Sequence, residues 1–361
     1  MRVIQLLPTL AYGDAVGNDV IAIQKVLMEM GYRSYIYAEQ IVRKKPDTME
    51  KLVSELPELS PEDIILYHGS TGTALNEQLP KLGGRKAMIY HNVTPPHFFA
   101  PYSQEAKKLT EDGLRGIQGL ADTLEYCIAD SAFNKQDLRS MGYTCPIDVC
   151  PILIPFADYE KKPNEKLLRQ YRGDGVTNLL FVGRIAPNKC HQDILRAFCC
   201  YQKCYNPKSR LVFVGAWDGM DSYYKRLVAY AGMLGIAEHV IFTGHIKFDE
   251  ILAWYHLADA FVCMSEHEGF CVPLAEAMYF DVPIVAYDST AIPDTLGGSG
   301  VLLESKAPDK AAYEIHRLIS EPEHRKAVVK GQQKRLADFS HEAVKAILVK
   351  QLKEFINGDK K

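Results

Sequence analysis

The sequence predicts an α/β protein made of two consecutive domains, each built on a doubly wound parallel sheet. Short apolar segments alternate with segments of helical periodicity, which is the pattern of parallel strands joined by crossover helices. The 361 residues exceed what one hydrophobic core normally fills, roughly 250 to 300 residues. A charged, glycine-containing segment at 157–177 interrupts the alternation and predicts a linker between domains at 1–156 and 178–340.

The first half opens with an apolar strand, MRVIQLLPTL, and a glycine loop that leads into a helix. Gly13 and Gly17 allow close approach of the backbone, and Asn18 or Asp19 could cap the helix. Further strands are predicted at SYIYAEQ, DIILYH, KAMIYH and YCIADS. The loop lacks the Gly-x-Gly-x-x-Gly spacing of dinucleotide-binding proteins, so the sequence disfavours a dehydrogenase.

Two residues of this half stand where strands end. His91 stands at the C-terminal end of the predicted strand KAMIYH, and ligands of parallel sheets bind at this edge. A buried structural histidine is the alternative, and position alone does not separate the two. Ser131, the last residue of YCIADS, is predicted to cap a helix rather than to act in catalysis.

The alternation restarts at Asn178 with strands at NLLFVGRI, SRLVFVGAW, HVIFTGHI, FVCM and VPIVAY. A final strand is predicted at VLLE, followed by helices at 309–320, 323–338 and 341–356. The last helix has an apolar stripe that we interpret as a packing surface rather than a membrane-binding face.

The loop after NLLFVGRI carries two basic residues just beyond a strand end. Arg184 and Lys189 lie five positions apart at the mouth of a helix. The arginine fork and the lysine point charge suit a diphosphate, although a solvated charge pair is the alternative. The backbone of the next two strand ends, including TGHI, could frame a nucleotide base.

The stretch FVCMSEHEGFCVPLAEAMYFDVPIVAY reads as strand, loop, helix and strand. Glu268 and Glu276 are separated by seven residues, with Gly269 beside the first and Pro273 at the expected helix start. A helix N-terminus suits a phosphate, and carboxylates accept hydrogen bonds from vicinal sugar hydroxyls. This combination fits a nucleotide-sugar, whereas a helix with exposed acids is the simpler alternative.

Composition excludes several classes of protein. The hydrophobic fraction of 47% and charged fraction of 24% are those of a soluble globular chain. A net charge of −3 and the absence of long basic blocks argue against nucleic-acid binding. No apolar tract approaches about 18 residues, and the N-terminal segment is too soon polar for a signal peptide, so we expect a cytoplasmic protein. The nine scattered cysteines indicate neither a zinc site nor a disulfide framework.

The segments GRIAPNK and SEHEGFCVPLAEAMYFDVPIVAY, with the Ala258-Asp259 pair before AFVCMS, resemble the retaining glycosyltransferases of family 4. The resemblance is dense over 178–303 and looser in GDAVGND, YHNVTPP and ADSAFNKQDL. It implies the GT-B fold, in which two Rossmann-like domains face each other across a cleft. The N-terminal domain, 1–156, would bind the acceptor and 178–340 the nucleotide-sugar donor, while the helix at 341–361 would cross back to the N-terminal domain.

The resemblance also implies roles for individual residues. Arg184 and Lys189 would bind the donor diphosphate, Glu276 the ribose, and Glu268 the transferred sugar. His91 would lie near the reacting sugar. The remaining positions expected to contact the donor, largely through the backbone, are Gly17, Gly183, Gly244, Gly269, Phe270, Cys271 and Val272. No metal ion or other cofactor is expected, because the basic residues and the helix N-terminus would stabilise the departing diphosphate.

The resulting hypothesis is a retaining hexosyltransferase of surface polysaccharide biosynthesis. A saccharide or lipid-linked saccharide would accept the sugar, at the cytoplasmic face of the membrane with at most peripheral contact. The SEHEGFCVPL segment resembles mannosyltransferases and favours GDP-mannose slightly over UDP-hexoses. A nucleotide-sugar epimerase and a non-catalytic sugar-nucleotide-binding subunit are the alternatives.

Overall fold

A computed structural model describes residues 1–42 and 49–358, which form two compact units. Unit 1 contains the described residues of 1–96, 105–155 and 338–358, and unit 2 contains 97–104 and 156–337. The sequence-based boundary near residue 156 therefore lies close to the division between units, but a short segment after Pro96 belongs to unit 2. Residues 359–361 of the expected final segment lie outside the described residues.

Unit 1 is organised around a parallel sheet that has seven strands among the described residues. They are β1 (Arg2–Ala11), β2 (Arg33–Val42), β3 (Lys51–Leu52), β4 (Ile64–Gly69), β5 (Arg85–Tyr90), β6 (Tyr126–Ala129) and β7 (Ile147–Val149). Their order is β3-β2-β1-β4-β5-β6-β7, with β1 paired to both β2 and β4. Because the chain moves outward from β1 in both directions, the sheet is doubly wound.

Helices connect these strands, as the alternating pattern predicts. They are α1 (Ala15–Glu29), α2 (Leu75–Gln78), α3 (Gln104–Gln118) and α4 (Ala132–Ser140). Ser131 caps α4 by accepting a hydrogen bond from the Asn134 amide, which confirms its predicted role. The predicted cap of α1 is wrong, because Asp14 accepts from the Gly17 amide at 2.6 Å while Asn18 and Asp19 lie within the helix.

Unit 2 has a second parallel sheet, with six strands in the described part of the chain. They are β8 (Thr177–Val182), β9 (Ser209–Val214), β10 (Val240–Phe242), β11 (Ala260–Cys263), β12 (Ile284–Tyr287) and β13 (Val301–Leu303), in the order β10-β9-β8-β11-β12-β13. The connecting helices are α5 (Glu165–Tyr171), α6 (His191–Cys204), α7 (Asp221–Met233), α8 (Phe248–Leu257), α9 (Val272–Tyr279), α10 (Ile292–Leu296), α11 (Pro308–Ser320) and α12 (Pro322–Leu336). The predicted fold class, two Rossmann-like doubly wound sheets, is thus confirmed.

The segment predicted as a linker, 157–177, is instead part of the folded body of unit 2. It contains a 3₁₀ turn at Phe156–Glu160, helix α5 and the first residue of β8. Its charged residues lie mainly on the surface, but Tyr159 and Leu168 are buried. These two buried side chains are surrounded by polar residues in the sequence, so the segment shows no apolar periodicity. The prediction of a linker was wrong for that reason.

The last helix, α13 (His341–Asn357), packs on unit 1 rather than on the unit that precedes it in the chain. Val344, Leu348 and Leu352 are buried in the same apolar cluster as Val3 and Leu66 of the unit 1 sheet. Burial of each such side chain contributes roughly 1.5–3 kcal/mol, so the predicted stripe is a packing surface.

The helices of the described chain include none that combines the length and apolar character required to cross a bilayer.

Candidate functional site

Three glycines meet at the carboxyl edge of the unit 2 sheet. A Cβ on Gly215 would lie 1.9 Å from the Gly183 carbonyl oxygen, and Gly215 forms an isolated bridge with Gly244. No side chain larger than hydrogen fits at Gly215. The backbones of the turns after β8, β9 and β10 are therefore in direct contact. The predicted positions Gly183 and Gly244 both lie next to Gly215.

Two hydrogen bonds, one from a side chain and one between backbone groups, connect the loop after β8 to the loop after β11. The Asn188 side-chain amide donates to the His267 carbonyl at 3.0 Å, and the Glu266 amide donates to the Asn188 carbonyl at 2.9 Å. These bonds bring Lys189 next to Glu268, with Nζ 2.6 Å from Oε2. The two predicted site residues, from separate strand ends, thus form one ion pair.

Glu268 is held as a buried anion. Its side chain is 7% exposed, and its backbone amide donates to Thr290 Oγ1 at 2.9 Å. Burial lowers the pKa of Lys189, but the charge of Glu268, the neighbouring Cys271 and the hydrogen bond to Glu268 together outweigh burial and leave this pKa raised. The Lys189 ammonium is therefore charged at neutral pH, and it has further N–H donors for a second anion.

Helix α9 presents its N-terminus at the same loop. Its N-cap residue, Cys271, has a left-handed backbone with φ of 72° and no capping hydrogen bond from its side chain. The helix begins at Val272, one residue before the predicted start at Pro273. Pro273 is therefore the second helical residue and not the first. Pro273 has no N–H and the Leu274 amide donates to the Cys271 carbonyl at 3.0 Å, so the backbone N–H groups that could meet a phosphate at this end are those of Cys271 and Val272, within the predicted stretch Phe270 to Val272.

Glu276 lies in the second turn of α9, not the first turn that its spacing suggested. Tyr159 donates a hydrogen bond to Oε1 at 2.7 Å and Tyr255 donates to Oε2 at 2.6 Å. Burial raises the pKa of Glu276, and the two hydroxyls lower it in part. Each carboxylate oxygen keeps acceptor capacity for another hydroxyl.

Sequence reasoning missed both tyrosines. Tyr159 lies in the segment interpreted as a linker, and Tyr255 lies on α8, where it resembled any apolar core residue. The available signal for Tyr159 was an aromatic residue within a charged segment. Its partner is 117 positions away, so the contact itself had no local signature.

Arg184 is not part of the ion pair. It is exposed, and one of its guanidinium nitrogens donates to the Asp218 carbonyl at 2.8 Å, in the loop after β9. The structure therefore places Arg184 on the β9 side of β8 and Lys189 on the β11 side.

A group of possible metal ligands adjoins the ion pair. Ligand atoms of Cys263, Glu268 and Cys271 lie within 4.8 Å of one another. The Glu268 carboxylate is already bound to the Lys189 ammonium, so a cation would compete with this charge. Because the carboxylate is engaged by the ammonium, we assign no metal to this group.

The remaining predicted residues, Gly17 and His91, belong to unit 1. A Cβ on Gly17 would lie 2.1 Å from the Ala11 carbonyl oxygen, so packing alone requires glycine there. The His91 side chain is 2% exposed, and its Nδ1 lies 2.9 Å from Asp130 Oδ2. The imidazole is therefore enclosed, and the accessible part of His91 is its backbone.

Comparison with known proteins finds a family match within the second unit. Residues 169–335 match the family described as glycosyl transferases group 1. The GDP-mannose-dependent alpha-mannosyltransferase of Mycobacterium tuberculosis is 33% identical over 160 residues, covering 42% of this chain and 38% of the relative. The O-antigen chain mannosyltransferase B of Escherichia coli is 23% identical over 254 residues, covering 69% and 64%. The chain spans less than two thirds of the length of these relatives.

Solved structures show the same fold over the whole chain. Sucrose-phosphate synthase from Thermosynechococcus elongatus has a TM-score of 0.78 at 16% identity, covering 99% of this chain and 100% of that structure. Anabaena HepE, solved in complex with UDP-glucose, has a TM-score of 0.74 at 16% identity, covering 98% and 100%. The fold is therefore GT-B.

Proposed function

We propose that this chain, whose residues 169–335 match the family of glycosyl transferases group 1, is a retaining hexosyltransferase that uses a nucleotide-sugar donor. The observation that carries the proposal is the convergence of the Lys189–Glu268 pair and the open N-terminus of α9 at one sheet edge. Phosphate-binding groups and a buried carboxylate for sugar hydroxyls stand side by side, as a nucleotide-sugar requires.

The donor diphosphate would bind to the backbone N–H groups of Cys271 and Val272 at the start of α9 and to the Lys189 ammonium, with Arg184 at its other side. As the bond from C1 to the phosphate oxygen breaks, negative charge builds on the diphosphate. These groups then stabilise the transition state more than the ground state, which is the requirement for catalysis. The positive charge for this step comes from the chain itself, so we propose a metal-independent reaction.

The acceptor hydroxyl would attack C1 on the face that the diphosphate leaves. Its proton passes to an oxygen of the departing diphosphate, and the products are the glycoside and the nucleoside diphosphate. The configuration at C1 is retained. On this mechanism Glu268 holds hydroxyls of the transferred sugar and is not a nucleophile, because its carboxylate is fixed by Lys189.

Glu276 would bind the ribose. Tyr159 and Tyr255 fix its two oxygens, so the carboxylate meets vicinal hydroxyls in one orientation. The backbone around Gly183, Gly244 and Gly269 would allow the nucleotide to approach closely. The acceptor, a saccharide or lipid-linked saccharide, would bind unit 1, which contains Gly17 and His91.

We favour GDP-mannose as donor, in surface polysaccharide biosynthesis at the cytoplasmic face of the membrane with at most peripheral contact. The support is that two relatives are named as mannosyltransferases, one of them GDP-mannose-dependent and the other acting on an O-antigen chain. UDP-hexoses are the second choice, because HepE was solved with UDP-glucose.

Two alternatives use the same fold differently. A nucleotide-sugar epimerase would convert the donor sugar without any acceptor, whereas a transferase would not. A non-catalytic subunit would bind the nucleotide and turn over nothing. The charged Lys189–Glu268 pair favours the transferase, since a binding subunit does not need groups aimed at a leaving diphosphate.

The decisive first experiment is a thermal-shift series with GDP, UDP and dTDP on the purified chain. A nucleotide at 100 times its dissociation constant stabilises the folded state by about 2.7 kcal/mol. We expect GDP to give the largest shift, and transfer from GDP-mannose to a saccharide acceptor to follow. No shift with any of the three nucleotides, together with no transfer, would contradict the proposed function.

A further inference from the structure

A buried chain of hydrogen bonds crosses the carboxyl edge of the unit 1 sheet. His91 Nδ1 lies 2.9 Å from Asp130 Oδ2, and His91 Nε2 lies 2.9 Å from His68 Nδ1. His68 Nε2 lies 3.0 Å from Gln5 Oε1, and the Gln5 side-chain amide donates to the Val20 carbonyl at 3.1 Å. The side chains are almost completely enclosed, with Gln5 and His68 at 0% exposure and Asp130 at 3%.

The positions of the protons follow from the two ends of this chain. The Val20 carbonyl can only accept, so the nitrogen of the Gln5 amide must face it. The Gln5 oxygen then faces His68 and can only accept as well. His68 Nε2 must therefore carry a hydrogen.

The two inner contacts each need one more hydrogen. The rings of His68 and His91 are inclined by only 6°, with centroids 5.2 Å apart, so their nitrogens meet edge to edge in a hydrogen bond. If no hydrogen lay between the two rings, or between His91 and the Asp130 carboxylate, two lone pairs would face each other. Each buried acceptor left without a hydrogen bond would cost about 1–3 kcal/mol of stability. The contacts from Gln5 to His68, from His68 to His91 and from His91 to Asp130 each need one hydrogen, which makes three. Two neutral imidazole rings carry only one N–H hydrogen each, which makes two.

The extra proton belongs to His91. Burial alone lowers the pKa of His91, but the adjacent Asp130 raises it above the ordinary value, whereas burial holds the pKa of His68 far below its ordinary value. The charged and titratable groups that face His91 are Asp130, His68 from β4, and Asp19 and Asp14 from α1 and its cap. Apart from neutral His68, they are acidic groups, which favours an imidazolium at their centre.

We propose that the His91 side chain is an imidazolium whose two N–H groups are both committed, one to Asp130 and one to His68. This inference rests on the proposed transfer reaction. In that reaction His91 would contribute a fixed positive charge and its accessible backbone, and its side chain would not transfer a proton. Asp130, His68 and Gln5 are positioning residues that hold this state. Proton transfer by the departing diphosphate, rather than by His91, is then the remaining route.

The experiment is a titration of the histidine ring nitrogens by ¹⁵N NMR on the whole chain, with His91 assigned by the resonances lost in His91→Gln. At about pH 7.5, one unit above the ordinary histidine pKa of about 6.5, we expect both nitrogens of His91 to be protonated. A neutral His91 ring with a single N–H at that pH would overturn the proposal. Once His91 is assigned, the wild-type titration decides this even if a variant of Asp130 fails to fold.

Asp130→Asn keeps an acceptor oxygen but removes the charge. Without it the pKa of His91 should fall to its ordinary value or below, so about one tenth of the rings would be protonated at about pH 7.5. We expect loss of the imidazolium signal and a fall in kcat of about tenfold that is reversed at lower pH. Asp148→Asn, which removes a carboxylate bonded to Tyr126 in the same unit, is the control and should keep both the signal and kcat.

The two readouts separate the two hypotheses. An imidazolium signal without transfer from any nucleotide-sugar would overturn the proposed function and support the charge state of His91. Transfer whose kcat does not change in Asp130→Asn between about pH 6 and 8 would overturn the role of His91 in the reaction.

Discussion

The ammonium of Lys189 lies 2.6 Å from a carboxylate oxygen of Glu268, although the two residues are 79 positions apart in the chain. The sequence assigned them separate tasks, one at the diphosphate and one at the sugar. Their contact implies that each fixes the charge state of the other. A donor bound here would meet a positive group that is already oriented and a carboxylate that is already ionised.

Removing this ammonium should impair turnover. We expect Lys189→Ala to lower kcat by about 10² or more, as for loss of a transition-state donor. It should also destabilise unit 2 by roughly 3–5 kcal/mol, because Glu268 is left as a buried unpaired charge. The double variant Lys189→Ala/Glu268→Gln removes that charge, so the stability should return while kcat stays low. Recovery of kcat along with stability would show that Lys189 has only a structural role.

Loss of Arg184 should reduce kcat without affecting the fold. Its guanidinium is exposed and donates to the Asp218 carbonyl, so Arg184→Ala leaves no buried charge behind. We expect kcat to fall by about 10² with an unchanged midpoint of unfolding. Lys203→Ala, which removes a basic residue from the far end of α6, is the control and should behave as wild type. Wild-type turnover in Arg184→Ala would contradict the assigned diphosphate contact.

The two tyrosines that hold Glu276 should influence nucleotide affinity. Tyr159→Phe and Tyr255→Phe each remove one hydrogen bond to a charged acceptor, worth about 1.5–3 kcal/mol. We expect weaker binding of the free nucleoside diphosphate, by about tenfold in each variant, measured by calorimetry. Tyr205→Phe, on the exposed end of α6, is the control. Unchanged affinity in both variants, or in Glu276→Gln, would show that this carboxylate does not bind the ribose.

Asp19 should make unit 1 less stable at high pH. Burial raises the pKa of Asp19 from 3.8 to about 7, although its oxygen accepts a hydrogen bond from the Leu153 amide. The folded state therefore binds this proton more tightly than the unfolded chain, so the free energy of unfolding decreases as pH rises from about 4 to 7. At about 1.4 kcal/mol per pH unit, the cost above pH 7 is on the order of 4 kcal/mol.

Asp19→Asn tests this directly, because asparagine keeps an oxygen for Leu153 and cannot ionise. Denaturant unfolding should show a more stable variant at about pH 8 and little difference at about pH 4. Equal stabilisation at both pH values would indicate a packing effect instead.

Gly17 should be intolerant of a methyl group for reasons of packing alone. A Cβ there would lie 2.1 Å from the Ala11 carbonyl, so Gly17→Ala requires the backbone to move and should cost roughly 1–3 kcal/mol. Gly232 is the matched control, since it lies within α7 with nothing near its Cβ position. Gly232→Ala should stabilise by roughly 0.5–1 kcal/mol. If the two variants unfold alike in denaturant, the close approach at Gly17 is wrong.

Much of the fold could be predicted because its signals are local. The apolar segments that became β1, β4, β8 and β11 and the stripe on α13 read directly as buried faces. The segment 157–177 failed because its buried residues, Tyr159 and Leu168, are isolated among charges, and an isolated apolar residue has no periodicity to read.

The sequence by itself determined the two doubly wound sheets and the residues at their carboxyl edges, because strand periodicity and strand ends are properties of neighbouring residues. Only the tertiary structure decided which of those residues meet. It paired Lys189 with Glu268, placed two tyrosines on Glu276, and enclosed His91 between Asp130 and His68. These contacts join residues on different strand ends, and their distances depend on how strands and loops pack, which no local pattern encodes.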